Sequence, residues 1–96
     1  METELIAKGQ SMAIAFRQFA DLLENENFIR KALELDGNPE LKEVARHDPR
    51  AYFREQGIHI PSTIKVTIGS IIICWDDGKH GWCILISRDG IVVESY

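Results

Sequence analysis

The apolar residues of this chain follow one period up to Gly57 and another after it. From Thr3 to about Leu35 they recur at helical spacing: Leu5, Met12, Phe16, Phe19 and Leu23 form a stripe, with Ala13 and Ala20 beside it. Gly9 and Ser11 are poor helix formers, so the helix is expected to begin or bend near them. Glu24-Asn25-Glu26-Asn27 interrupts the stripe before Phe28, Ile29, Ala32 and Leu33 resume it. Asp36-Gly37 then ends the helical stretch, with Gly37 expected in the left-handed conformation that suits glycine after a helix.

Asn38-Pro39 and Asp48-Pro49 are twin helix starts. In each, a side-chain acceptor can cap free backbone N–H groups, and the proline fills a first turn where its missing N–H costs nothing. The helices they open are short, Pro39 to about Arg46 and Pro49 to Gln56, and need packing through Leu41, Val44, Tyr52 and Phe53. Gly57 closes the second in a left-handed cap, where a β-branched residue is poorly tolerated.

After Gly57 the period is two. Ile58 and Ile60 flank His59, Pro61 makes an extended corner, and Ile64, Val66 and Ile68 alternate with Lys65 and Thr67. Gly69-Ser70 marks a break or bulge. Ile71 to Trp75, Trp82 to Ser87 and Ile91 to Tyr96 then read as a meander, with turns at Asp76 to Lys79 and at Asp89-Gly90. Ile71, Ile73 and Trp75 share a face with Trp82, Ile84 and Ile86. The expected fold is α+β: N-terminal helices, one long and two or three short, packed on an antiparallel sheet of three to four strands. One domain spans 1–96, with a helical half at 1–57 and a β half at 58–96.

Two registers of the first hairpin are open. With Gly78-Lys79 as turn residues, Asp77 faces His80, Trp75 faces Trp82 and Cys74 faces Cys83, near enough for a disulfide. With Asp77-Gly78 as turn residues, Cys74 faces Gly81 and the sulfurs cannot meet. Turn preference favours the second register, and a reducing compartment favours free thiols, so no disulfide is expected.

Composition narrows the function classes. The chain has 45% hydrophobic and 27% charged residues, which is ordinary for a globular domain. Its net charge of -4 argues against nucleic acid, because nine of eleven basic residues precede Gly69 but eleven acidic ones do too, leaving no basic face. No run of eighteen apolar residues suggests a membrane span, and METELIAKGQ lacks the order of a signal peptide, so a cytoplasmic location is expected.

Cys74, His80 and Cys83 are the one cluster with metal-ligand chemistry. Their Cys-x5-His-x2-Cys spacing offers three ligands, without the paired close spacing of a zinc site, so no metal or other cofactor is expected. A Cys–His nucleophile lacks a helix N-terminus to lower a thiol pKa, and Asp76 and Asp77 would raise it. Glu24, Glu26, Glu34 and Glu43 sit among Lys and Arg on solvated faces. No catalytic residue is assigned. Phe16, Phe19, Phe28 and Phe53 read as core, whereas Trp75 and Trp82 flank a turn and are candidates for a recognition or self-association patch.

The segment Asp48-Pro49-Arg50-Ala51…Gly57-Ile58-His59-Ile60-Pro61…Ile64-Lys65-Val66-Thr67 resembles the nitrile hydratase α-subunit-like leader domain of proteusin-type precursors, which are ribosomally synthesised, modified peptides. Phe28-Ile29-Arg30-Lys31-Ala32-Leu33 and Leu41-Lys42-Glu43-Val44 look like its earlier helices, so the likeness covers roughly Asn27 to Ile68. It implies a helical leader ending in a strand and recognised by enzymes that modify a C-terminal core peptide. The related nitrile hydratase α subunit binds iron or cobalt through Cys-x2-Cys-x-Cys. This chain lacks that cluster, so neither the metal nor the reaction carries over. Gly69-Ser70 stands where such leaders end in Gly-Gly or Gly-Ala, which would leave Ser70 to Tyr96 as the core peptide; the two turn signals there read instead as folded sheet.

The expectation is a non-catalytic leader-like domain, a precursor peptide or binding module recognised by a peptide-modifying enzyme. Its partner-binding candidates are Ile64, Val66 and Ile68 on a strand edge, with Trp75 and Trp82; either that edge or the one at Ile91 to Tyr96 could pair with a partner sheet. The alternatives are a self-associating structural domain, forming a homodimer through its hairpin and long helix, and a metal or thiol protein using Cys74, His80 and Cys83.

Overall fold

In the computed structural model four helices precede four strands: α1 (Glu2–Glu24), α2 (Glu26–Asp36), α3 (Pro39–His47), α4 (Pro49–Glu55), then β1 (Lys65–Thr67), β2 (Ile71–Asp76), β3 (Gly81–Ser87) and β4 (Gly90–Ser95). The strands form one antiparallel sheet in the order β1-β2-β3-β4. The expected α+β architecture, with a long first helix and short ones after it, is the one adopted. The structure describes residues 1–68, 71–76, 78 and 80–95. The Gly69-Ser70 break, the turn positions of Asp77 and Lys79 and the chain end at Tyr96 lie outside the described residues.

The short helices start where their caps direct. The Asn25 side chain accepts a hydrogen bond from the Phe28 N–H at 3.2 Å, Asn38 from those of Glu40 and Leu41 at 3.1 Å, and Asp48 from that of Ala51 at 3.1 Å. Gly57, at φ 81°, ends α4, and the Ile58 N–H returns to the Phe53 carbonyl at 2.9 Å. Gly37 departs from expectation: at φ -92° and ψ 0° it is not left-handed. Its bare Cα instead leaves room for the Arg88 guanidinium, and the neighbouring Asp36 carboxylate accepts the Arg88 backbone N–H at 3.0 Å. These contacts pin the β3–β4 turn to the end of α2.

The helices cover one face of the sheet. Ile71, Ile73 and Trp75 of β2 and Ile84 and Ile86 of β3 point into that layer and meet Phe28, Ala32, Leu35, Phe53 and Ile58. Phe28 and Phe53 lie 5.2 Å apart between ring centroids at its centre. Burial of this apolar face is the main force holding helices to strands.

Three expectations about the helices are corrected. α1 runs through Gly9 and Ser11 from Glu2, because one glycine costs only about 1 kcal/mol in a 23-residue helix. Its buried face is Ala15, Phe19 and Leu22, so Phe16 is half exposed and Leu5, toward the N-terminus, is 69% exposed. A helix of this length spans about 35 Å, and residues 2–11, its first part, are all exposed. On α3, Ala45 is buried and Val44 is exposed, because the helix turns its Leu41–Ala45 side toward the core.

Two hairpin expectations are corrected as well. The observed register is Cys74↔Cys83, Trp75↔Trp82 and Asp76↔Gly81, and Cys74 and Cys83 form a disulfide. The favoured Cys74–Gly81 register keeps the same side chains on each face but would set Trp75 opposite His80 instead of Trp82; pairing the two tryptophans in the apolar row outweighs turn preference. In the second hairpin Ser87 pairs with Gly90, so Arg88-Asp89 are the turn residues and Gly90 begins β4.

Candidate functional site

An open apolar groove lies between α1 and the β3–β4 hairpin. Phe16, Phe19, Ala20 and Leu23 line it from the helix, Trp82, Ile84, Val93 and Ser95 from the sheet, and its volume is about 400 Å³. Phe19 and Ile84 form its floor, being nearly inaccessible. Phe16 stacks on Trp82 with ring centroids 4.1 Å apart, and Trp82 lies 5.6 Å from Trp75. Phe16 is 50% exposed and Val93 68% exposed, so the rim presents apolar area to solvent. Such a surface binds by burying apolar area and offers little means of stabilising a charged transition state.

The groove exists because the helical layer stops short of β4. Helix α2 packs over β2 and β3, and α4 over β1. All six residues of β4 are exposed, including Ile91 and Val93, which share a face with the buried Ile86 and Ile84.

Of the sequence-predicted partner residues, Ile64, Ile68 and Trp75 are buried in the core and present little accessible surface. Val66 and Trp82 are half buried. Of these, only Trp82 lines the groove, which brings it together with Phe16, expected in the core, and with Val93 of the last strand. Phe16 was expected in the core; its helix is rotated so that Ala15 and Leu22 occupy that place.

Cys74 and Cys83 sit on the opposite face of the sheet, each partly accessible. With their sulfurs bonded to each other, neither offers a thiolate to a metal or substrate. His80 is exposed beside the hairpin turn. Among the described residues no group of three His, Cys, Asp or Glu side chains is placed to hold a metal ion, and no helix is long and apolar enough to cross a membrane.

Arg50 is the polar residue that sequence reasoning missed. From the first turn of α4 its guanidinium donates to the carbonyls of Ile60 at 2.7 Å and Pro61 at 3.1 Å, and also to that of Ile64. It holds the extended corner that leads into β1. A cation near a helix N-terminus opposes the helix dipole, and that mismatch was the available sign of a distant partner. Nearby, burial of Tyr52 raises its phenol pKa above 10.0, with the Glu34 charge adding to the shift and Lys31 partly opposing it.

Compared with family models, curated proteins and solved structures, the chain matches none.

Proposed function

We propose that this chain is a non-catalytic, leader-like binding module whose groove between α1 and the β3–β4 hairpin is recognised by a peptide-modifying enzyme. The observation that carries the reading is the half-exposed Phe16–Trp82 stack at the rim of a groove that is apolar on both walls. Aromatic side chains that expose area while held rigid are favourable anchors for a partner, since little conformational entropy is lost when they are covered. The motif likeness between Asn27 and Ile68 supplies the class of partner.

The folded-module form of this reading is favoured over a cleaved precursor. Ile71 and Ile73 are fully buried and Ile86 is 1% exposed, so removing the chain after Gly69 would strip the helices of their apolar floor. The tail belongs to the body.

The test places a photoreactive benzoyl-phenylalanine at Phe16 in the native cells and identifies what it captures. A cross-link to a peptide-modifying enzyme, lost when Leu23→Asp is added, is the expected result. Cross-links to unrelated proteins alone, or a cellular product whose mass shows the chain ending near Gly69, would overturn the reading.

A further inference from the structure

We propose that β4 pairs with β4 of a second copy of this chain, antiparallel and centred on Val92, making one continuous eight-stranded sheet. This inference rests on the strand itself and stands apart from the reading of the groove.

An edge strand exposes unpaired N–H and C=O groups, and proteins that stay monomeric blunt such edges with charge, proline, a bulge or a covering element. Among the described residues, β4 has none of these over Gly90 to Val93. It is six residues long, its pairing to β3 is unbroken, and Ile91, Val92 and Val93 are 52%, 53% and 68% exposed. The other edge, β1, is three residues long, carries Lys65 and follows the corner held by Arg50.

The choice of a second copy follows from which groups point outward. The Arg88-Asp89 turn closes on Ser87↔Gly90, so Gly90, Val92 and Glu94 direct their backbone groups to β3. The hairpin beside it agrees: the Cys74 and Cys83 Cα atoms are 4.2 Å apart, the spacing of a non-hydrogen-bonded pair, which turns the Cys83 backbone toward Glu94. The N–H and C=O groups of Ile91 and Val93 therefore face the free edge. A two-fold axis through Val92 sets Ile91 opposite the second copy's Val93, and that pair exchanges both hydrogen bonds.

Side chains and charge select the same centre. About Val92, apolar residues face apolar ones on both sides of the sheet, and each Glu94 lies opposite a glycine, Gly90, in the second copy. Shifting the centre to Val93 would set Glu94 against Val92, and shifting it to Glu94 would bring the two carboxylates together, which is unfavourable. Centring on Ile91 would set Val93 against the turn residue Asp89, so Val92 is the best-matched centre.

Light scattering after size exclusion of the full chain tests this, with a mass of twice 10.9 kDa expected. Val92→Glu and Val92→Lys each place like charges across the axis, in a non-hydrogen-bonded pair about 4.5 Å apart, and each should run as monomer with an unchanged circular dichroism spectrum. Mixed in equal amounts, the two should re-form a dimer, because unlike charges then meet. Val93→Pro, which removes an outward N–H and no bond to β3, should also be monomeric. A monomeric parent chain, dimers that survive all three substitutions, or failure of the mixed pair to associate would each overturn the proposal.

Discussion

The sheet ends in two unlike edges. β1 is short, its Lys65 reaches the Asp76 carboxylate at 2.6 Å, and the segment before it is tied to α4 by Arg50 and to α1 by the Thr63 hydroxyl, which donates to Gln18 at 2.5 Å. β4 is twice as long, lies outside the helical layer and presents apolar side chains on both faces. Their difference shows that an edge is closed less by its own residues than by what the rest of the chain brings to it. Lys65 is largely exposed, so its ion pair with Asp76 contributes modestly. Arg50, fifteen positions earlier in the chain, does more.

The largest effect should come from substitutions that compare the centre of the sheet with its open edge. Ile73→Ala removes a fully buried side chain and should cost about 2–5 kcal/mol by urea denaturation. Val93→Ala, at concentrations low enough to keep the chain monomeric, should cost less than about 0.5 kcal/mol. Equal losses would mean that β4 is covered in the folded chain. Reducing the Cys74–Cys83 bridge, which closes a short loop across the two central strands, should lower stability by about 2–3 kcal/mol, read as a lower midpoint with thiol reagent present.

At the closed edge, Arg50→Ala should cost about 2 kcal/mol, because it leaves several carbonyls of the corner without their charged donor, and Arg50→Lys should recover only part. An unaffected denaturation midpoint would remove Arg50 from the account of that edge. Gly57→Val, at the left-handed turn that starts the same corner, should cost about 1–3 kcal/mol in thermal melts. The smallest effect concerns pH. The Tyr52 phenol ionises above its unfolded value of 10.0, so the unfolded chain loses its proton first and stability falls as pH rises past that point. Tyr52→Phe should flatten the alkaline decline in melting temperature.

Much of the fold was legible because local chemistry acts locally. Asn38, Asp48 and Gly57 set helix ends through bonds that span a few residues, and those ends fell where the sequence placed them. The inward row of β2 and β3 was equally legible from its alternation. The groove was not. Phe16 lies on the same apolar stripe as Phe19, and periodicity cannot tell which side of that stripe a partner element will cover. The hairpin register failed for a related reason: turn propensity contributes less than setting Trp75 opposite Trp82 instead of His80, a gain that grows once the helices lie on that face.

By itself, then, the sequence determined where the short helices begin and end, which face of the strands is apolar, and that helices precede sheet. Those are properties of neighbours a few residues apart. Only the tertiary structure decided that the two cysteines meet, that Arg50 holds a distant corner, and that the start of α1 and all of β4 stay bare. Each depends on groups far apart in the chain, whose meeting is selected by the burial of the whole apolar layer and not by any one residue's preference.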